Sequence, residues 1–322
     1  MARFFRRSTA PEPTPEPAET PRPSRELRPQ PERIGISGSV PFVRLPAPDR
    51  LFADRAGRLR AVAEGHPLGG YLLFLAEIAA AQARVRAART EAGFRPTPPG
   101  PAEPGFPPLT REVLTRDSAI LDVLGALLAE ADLSAAPEAT RAARETLRAM
   151  PPEDARALAV DVFGGAFPLE RLAECTFVAA ALQVLLAELV SNLDQKALQP
   201  VADGVCPCCG GPPAASLVVG WTQADKARYL ACAVCQTQWN HVRIRCTACG
   251  AGEGISYYGL DEVSKDVQVE TCTTCHGYIK HLHQHRDPAL DAIADDVASY
   301  GLDLKIAEEG FHRVGLNPLF VA

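Results

Sequence analysis

Eight cysteines stand in four Cys-x-x-Cys pairs, Cys206/Cys209, Cys232/Cys235, Cys246/Cys249 and Cys272/Cys275, separated by gaps of 22, 10 and 22 residues. A thiolate is a soft donor. Two such pairs on two tight turns close a tetrahedral four-sulfur cage suited to zinc or iron. One pair is a weak signal, whereas two at ribbon spacing, repeated in register, are a strong one. A shift of 40 residues lays the first two pairs on the last two, and Gly210 on Gly250. Each glycine follows a knuckle cysteine, where the backbone folds back with the positive φ that Gly tolerates. The same shift sets Tyr229 on Val269 and Val242 on Leu282, which reads as an internal duplication. Each repeat is then a unit, the first pair closing on the second and the third on the fourth. An interleaved closure is the alternative. Disulfides are the competing use of eight cysteines, but a long chain without a signal peptide is expected to keep its thiols reduced. Cys208, within Cys206-Pro207-Cys208-Cys209, competes with Cys206 as a ligand but breaks the 40-residue register. Cys175, in an apolar helical run, reads as a small buried hydrophobe.

The elements that must position these sulfurs follow from pattern. A chain of 322 residues predicts two or three domains. Residues 1–40, with Pro11-Glu12-Pro13 and Pro15-Glu16-Pro17, read as a disordered Pro-rich arm. Residues 41–200 read as a helical bundle domain. Asp49 caps a first helix that ends before Gly65, and Leu68 to Ala88 forms a second. A Pro-rich loop spans 96–108. Helices follow over Asp117 to Ala131, 138–149 and 153–160. Leu169 to Leu193, apolar almost all round, is the expected central helix. Residues 201–245 and 246–286 read as two tandem four-cysteine ribbons. Their short β-prone runs are Ser216–Val219, Ala227–Ala231, Val242–Arg245, Ile255–Gly259, Val267–Glu270 and Tyr278–His283. Residues 287–322 read as a C-terminal helix and tail. Asp287-Pro288 opens that helix, Asp291, Asp295 and Asp296 form a solvated acidic face, and Leu302, Leu304 and Ile306 alternate as a final strand. The fold class is therefore α+β, a helical domain followed by two rubredoxin-like or zinc-ribbon modules.

Charge narrows the partners. The net charge is −6, and residues 201–286 carry seven basic and seven acidic side chains. A ribbon that grips nucleic acid neutralises phosphates with clustered Lys and Arg, and no excess exists here. A basic stripe of Arg243 and Arg245, with Lys226 and Arg228 nearby, keeps nucleic-acid binding as a minority reading. No run of 18 apolar residues is present, so no membrane span is expected. Arg6 and Arg7 invite a twin-arginine export reading, but Ser8 to Arg33 lacks the apolar segment such a signal needs.

Several stretches outside the cysteine pairs carry a family pattern. The run Arg228-Tyr229-Leu230-Ala231-Cys232-Ala233-Val234-Cys235, then Trp239 and Val242-Arg243-Ile244-Arg245-Cys246, resembles the formate dehydrogenase accessory protein family, FdhE. So do Gly65-His66-Pro67-Leu68, Asp287-Pro288, Ala294-Asp295-Asp296 and Asn317-Pro318. The resemblance covers about residues 47–320 and excludes the arm. It implies a cytoplasmic, non-enzymatic maturation factor for a formate dehydrogenase, with the catalytic subunit as partner. It implies two ions in rubredoxin-like sites, iron in preference to zinc, held by Cys206, Cys209, Cys232, Cys235, Cys246, Cys249, Cys272 and Cys275. The chain departs from the pattern at His276, where Gly is expected; Gly277 is the expected substitute for that turn. His281, His283 and His285 are a further departure and read as one face of an exposed strand edge.

Two other function classes accompany the accessory reading. One is a rubredoxin-like electron-transfer protein acting on a client enzyme, since a four-thiolate iron passes one electron. The other is a nucleic-acid-binding zinc ribbon. No catalytic triad or phosphate-binding glycine loop is visible, and the sequence leaves self-association open. Arg243, Arg245 and Tyr258 are the expected partner-binding residues, being of the types that anchor protein interfaces. Trp239 serves equally as an anchor or as ribbon core.

Overall fold

The computed structural model describes residues 40–94, 103, 105–116, 118–260 and 263–321. The expected Pro-rich arm (Val40 excepted), most of the 96–108 loop and Asp117 lie outside the described residues. The helical region begins with α1 (Pro48–Ala63) and α2 (Gly69–Glu91), a helical hairpin whose turn places Gly65 at φ 67°. The first helix opens on Pro48, not on an Asp49 cap, since Pro suits a first-turn position that lacks an N–H partner. It continues through α3 (Glu112–Thr115), α4 (Ala119–Glu130), α5 (Glu138–Ala149) and α6 (Pro152–Phe163) to α7 (Leu172–Val190).

The last of these is the centre of the bundle. Phe177 through Val190 are all buried, with α2, α4, α5 and α6 packed round it. Each Leu or Phe taken out of water there contributes about 1.5–3 kcal/mol. Leu169–Val190 is long and apolar enough to cross a membrane, yet 83% of its apolar window is buried in the protein. Its two buried polar residues have partners. Gln183 donates to the Ala233 carbonyl at 3.0 Å, and Glu188 receives Arg89 at 2.9 Å.

Among the described residues the strands join in one sheet. They are β1 (Val43–Arg44), β2 (Pro213–Val218), β3 (Arg228–Cys232), β4 (Gln238–Asn240), β5 (Ile255–Tyr258), β6 (Val267–Cys272), β7 (Gly277–Leu282) and β8 (His312–Arg313), in the order β1-β4-β3-β2-β7-β6-β5 with β8 also on β7. Each repeat is an antiparallel three-strand meander, and the repeats fuse where β2 runs parallel to β7, Ser216 opposite His281. The two-residue period of a strand sorts the side chains. Ala214, Leu230, Cys232 and Trp239 join the helical core; Ala215, Leu217, Tyr229 and Ala231 join a second core closed by Leu290, Leu302 and Ile306. Trp239 is therefore core and not a surface anchor.

Several expectations fail, each for a visible reason. Val242–Arg245 is a turn with Ile244 at φ 56°. The Arg228 guanidinium draws in the carbonyls of Arg245 (2.9 Å) and Val242 (3.4 Å), which are then lost to a ladder. Val242 thus lies past the end of β4 while its repeat mate Leu282 ends β7. No helix starts at Asp287. The Asp291 carboxylate accepts the N–H groups of Ile293 and Ala294 at 3.0 and 2.8 Å, and α8 (Ala294–Ala298) forms only after it. Leu302, Leu304 and Ile306 lie in α9 (Tyr300–Glu308), where Leu302 and Ile306 are buried and Leu304 is exposed. Spacing of four marks one face of a helix as well as of a strand.

The acidic cluster is not a solvated face either. Asp295 and Asp296 are buried. Arg58 binds Asp295 at 2.6 Å, Arg55 binds Asp291 at 3.0 Å, Lys280 and Arg313 bind Asp296 at 3.3 and 2.6 Å. These pairs tie α1 and β7 to the C-terminal segment. Carboxylates with such partners can be buried, whereas lone ones cannot.

Candidate metal centres

The fold gathers the cysteines into two groups, Cys206/Cys209/Cys232/Cys235 and Cys246/Cys249/Cys272/Cys275, with all four sulfurs of each within 4.8 Å of one another. The closure is sequential, not interleaved. In the first group Cys206 and Cys235 are 3.5 Å apart and Cys209 and Cys232 3.4 Å; in the second the matching distances are 3.6 and 3.7 Å. A disulfide would place its sulfurs about 2.05 Å apart. A tetrahedral ion with bonds of about 2.3 Å sets its sulfurs roughly 3.8 Å apart. The donor set and its spacing fit a thiolate-bound zinc or iron.

Local structure explains the cages. In each first knuckle a glycine N–H returns to a cysteine carbonyl, Gly210 to Cys206 at 2.9 Å and Gly250 to Cys246 at 3.0 Å. Both glycines have φ near 72°. The second knuckles use non-glycine residues in that strained region, Gln236 (φ 65°) and His276 (φ 55°). The turn therefore falls on His276 itself and not on Gly277. Gly277 is needed for space, since a Cβ there would meet Val314 Cγ2 at 2.5 Å. Amide N–H groups point at sulfur, Val234 and Cys235 at Cys232 and Ala248 at Cys246, all 3.4 Å.

The electrostatics ask for a cation. Burial pushes the Cys206 and Cys235 thiols well up and the Cys246 thiol up to about 12. Burial also opposes ionisation of Cys232 and Cys272. Neighbouring thiols and amide N–H groups outweigh it, bringing Cys232 well below its ordinary value and Cys272 down to about 7. Each cage alone thus favours one thiolate, Cys232 or Cys272, and resists ionisation of Cys206, Cys235 and Cys246, because burial in a dry site disfavours charge. A divalent or trivalent ion offsets that cost and holds all four ionised.

Their surroundings differ. All four sulfurs of the first cage are buried, and its residues belong to the helical core. Gln183 of α7 holds the Ala233 carbonyl, Arg55 of α1 holds Gln236 Oε1 at 2.6 Å, and Leu109 N–H donates to the Cys208 carbonyl at 2.9 Å. Cys208 and Cys175 are themselves buried, outside both cages. In the second cage Cys249 is exposed and Cys275 half-buried.

Arg228, read from sequence as part of a basic stripe, joins the two repeats. It is 1% exposed and binds Glu270 at 2.7 Å, Ser216 at 2.8 Å and Thr247 at 3.0 Å. The only sequence signal for this role was an Arg inside an otherwise apolar strand. Of the expected partner-binding residues, Arg243 and Tyr258 are exposed, while Arg245 is half-engaged with Asp203 at 2.8 Å and the Gly250 carbonyl. Of the three histidines expected on an exposed edge, two are interior and His285 is half-buried. His281 and His283 are buried on β7 and beyond its end, His281 beside Ser216 at 3.0 Å and His283 beside Gln268 at 2.9 Å. A parallel neighbour, β2, covers the edge they were expected to expose. A cleft of about 720 Å³ separates α1 from the sheet and the 288–291 loop. Its arginines are engaged: Arg50 with Asp54, Arg55 with Asp291, Arg58 with Asp295, and Arg44 stacked on Trp221 at 4.1 Å.

Comparison with known proteins agrees along the chain. Residues 40–203 match the model "FdhE, N-terminal", 205–243 "FdhE, central domain" and 244–320 "FdhE, C-terminal domain". A "Protein FdhE homolog" of Rhizobium meliloti is 37% identical over 92% of this chain and 98% of its own length. That of Pseudomonas aeruginosa is 34% identical over 90% and 96%. The crystal structure of the FdhE protein from Pseudomonas aeruginosa superposes with a TM-score of 0.73 at 34% identity, covering 87% of this chain and 98% of that one.

Proposed function

The chain belongs to the FdhE family of formate dehydrogenase accessory proteins, and from that premise we propose that it is a maturation factor that docks the catalytic subunit of a respiratory formate dehydrogenase in the cytoplasm. It acts by binding and not by catalysis, and each cage holds one ion through its four thiolates. The resemblance favours iron over zinc. The observation that carries the reading is the pair of four-sulfur groups at metal-ligand spacing on a family frame that spans nearly the whole chain. The docking face is the exposed surface beside the second cage, with Arg243, Arg245 and Tyr258. Arg243 is its free cation, since no carboxylate pairs with it among the described residues.

The deciding experiment is capture of the purified catalytic subunit by the chain, paired with deletion of its gene. The subunit should be captured. Deletion should abolish formate oxidation while the dehydrogenase polypeptide persists. Full formate oxidation in the deletion strain would overturn the proposal. Arg243→Glu should keep both ions and weaken capture.

One observation favours a second reading, electron transfer to a client centre. Cys249 reaches the surface, and a four-thiolate iron there would exchange one electron between its ferric and ferrous states. Visible absorption of the oxidised protein identifies iron; a colourless, zinc-loaded protein that still supports formate oxidation removes this reading. Burial of Arg228 and the pairing of Arg245 with Asp203 reduce the basic stripe of the nucleic-acid reading to Arg243 and Lys226.

A further inference from the structure

The two ends of the sheet are finished differently. At one end β1 is two residues long and lies between Pro41 and Pro46. Short strands and prolines are what proteins use to stop a sheet edge from pairing further. At the other end β5, Ile255-Ser256-Tyr257-Tyr258, is four residues long, uncharged and β-prone. No strand pairs its outer side among the described residues.

The ladder shows which backbone groups are free there. Thr273 N–H donates to the Gly254 carbonyl at 3.0 Å, and the register continues with Ser256 opposite Thr271 and Tyr258 opposite Val269. Bonded and non-bonded pairs alternate in an antiparallel ladder. Ser256 and Tyr258 therefore turn their N–H and C=O groups to β6, while Ile255 and Tyr257 turn theirs outward. The neighbourhood is apolar and basic. Val242, Ile244 and Tyr258 are exposed, and Arg243 has no carboxylate partner among the described residues. Arg228 holds the Val242 and Arg245 carbonyls at 3.4 and 2.9 Å and Glu270 at 2.7 Å, and Glu270 accepts the Tyr257 hydroxyl at 2.8 Å, so the turn that carries Arg243 lies beside this strand.

We infer that β5 is a strand-addition site: an extended segment of the client polypeptide, carrying an acidic side chain among apolar ones, pairs with the outer edge at Ile255 and Tyr257. Main-chain bonds supply the affinity, and Arg243 and Tyr258 select the side chains. A second copy of this chain is the poorer occupant, because it brings a second uncompensated Arg243 to the same face.

The inference rests on the client reading, so the test separates the two. Amide hydrogen exchange of the full chain is followed with and without excess purified catalytic subunit. The Ile255 and Tyr257 amides should slow by about tenfold or more on binding, with much smaller changes at Ser256 and Tyr258, which are already bonded. Tyr257→Pro removes an outward N–H that the β6 ladder does not use and should weaken capture about tenfold. Tyr257→Thr keeps that N–H and should capture within about threefold of the unaltered chain. Capture with unprotected Ile255 and Tyr257 amides, or equal losses in the Pro and Thr variants, overturns the strand-addition site and leaves the client reading standing. Protection that rises with protein concentration alone assigns the edge to a second copy and also overturns it. No capture by the unaltered chain overturns the client reading and this inference with it.

Discussion

Cys206, Cys209, Cys232 and Cys235 sit inside the helical core, whereas Cys249 of the second cage is exposed and Cys275 half-buried. Spacing, knuckle glycines and sulfur distances are nearly the same in both. A duplicated motif has thus been placed in two environments. The first cage is fastened by Gln183, Arg55 and Leu109 from the helical region. The second hangs on the first through β2–β7 pairing and Arg228. Identical ligand chemistry does not imply identical surroundings: burial makes one cage part of the core, and exposure leaves the other open to solvent at Cys249.

The largest expected effect separates the cages by ligand replacement. Metal binding in such modules is coupled to folding by about 10–16 kcal/mol, comparable to the whole stability of a domain, about 5–15 kcal/mol. Cys206→Ser should therefore give a chain that loses metal and fails to fold cooperatively. Cys272→Ser should lose about one ion per chain and keep a folded helical region. Metal analysis with far-ultraviolet circular dichroism distinguishes the two, and equal damage from both would erase the proposed asymmetry.

Next is the bridge. Arg228→Met leaves the Glu270 carboxylate buried without its partner and should cost about 3–5 kcal/mol in denaturant unfolding. Its second symptom should be early metal loss from the second cage, because Arg228 also holds Thr247. Restored stability in Arg228→Met with Glu270→Leu would confirm that the stranded charge is the cause.

Chelator challenge sharpens the comparison kinetically. Release should be biphasic, with the exposed cage emptying first and the buried one waiting on opening of the core. A single phase releasing both ions together would show that the cages behave as one.

Acid tests the interior histidines. Burial and then Arg286 lower His283 to about 4, and burial and then Arg228 lower His281 well below the ordinary imidazole value. The unfolded chain takes up these protons near pH 6.5; in the folded chain His283 does not until near pH 4, and His281 is likewise held well below the ordinary value. The unfolded state binds more protons between those values, so stability should fall as pH drops through that window. His283→Leu should flatten the slope of melting temperature against pH. An unchanged slope would leave the acid response to other groups.

The smallest effect belongs to the cysteines outside the cages. Cys208→Ser should keep both ions and cost only about 1–3 kcal/mol for a buried hydroxyl. Loss of an ion in that variant, with retention in Cys206→Ser, would reassign the ligand.

The sequence by itself determined the eight cage cysteines, the central helix and the α+β class, because these follow from local spacing, and it favoured the sequential closure that the fold then selected over an interleaved one. A Cys-x-x-Cys turn, a 40-residue repeat and a 3.6-residue period each read within a short window. Tertiary structure alone decided what lies opposite each element. Arg228, Asp295 and Asp296 looked solvated because a charge in isolation prefers water; each is buried because a partner from a distant segment, Glu270, Arg58 or Lys280, arrives with it. The same holds for Leu302 and Ile306, whose spacing of four suits a strand or a helix until the second core chooses. The difference between the cages is also of this kind. No residue within either repeat announces which will be covered, because the helix α7 that bonds the first cage at Ala233 lies outside both.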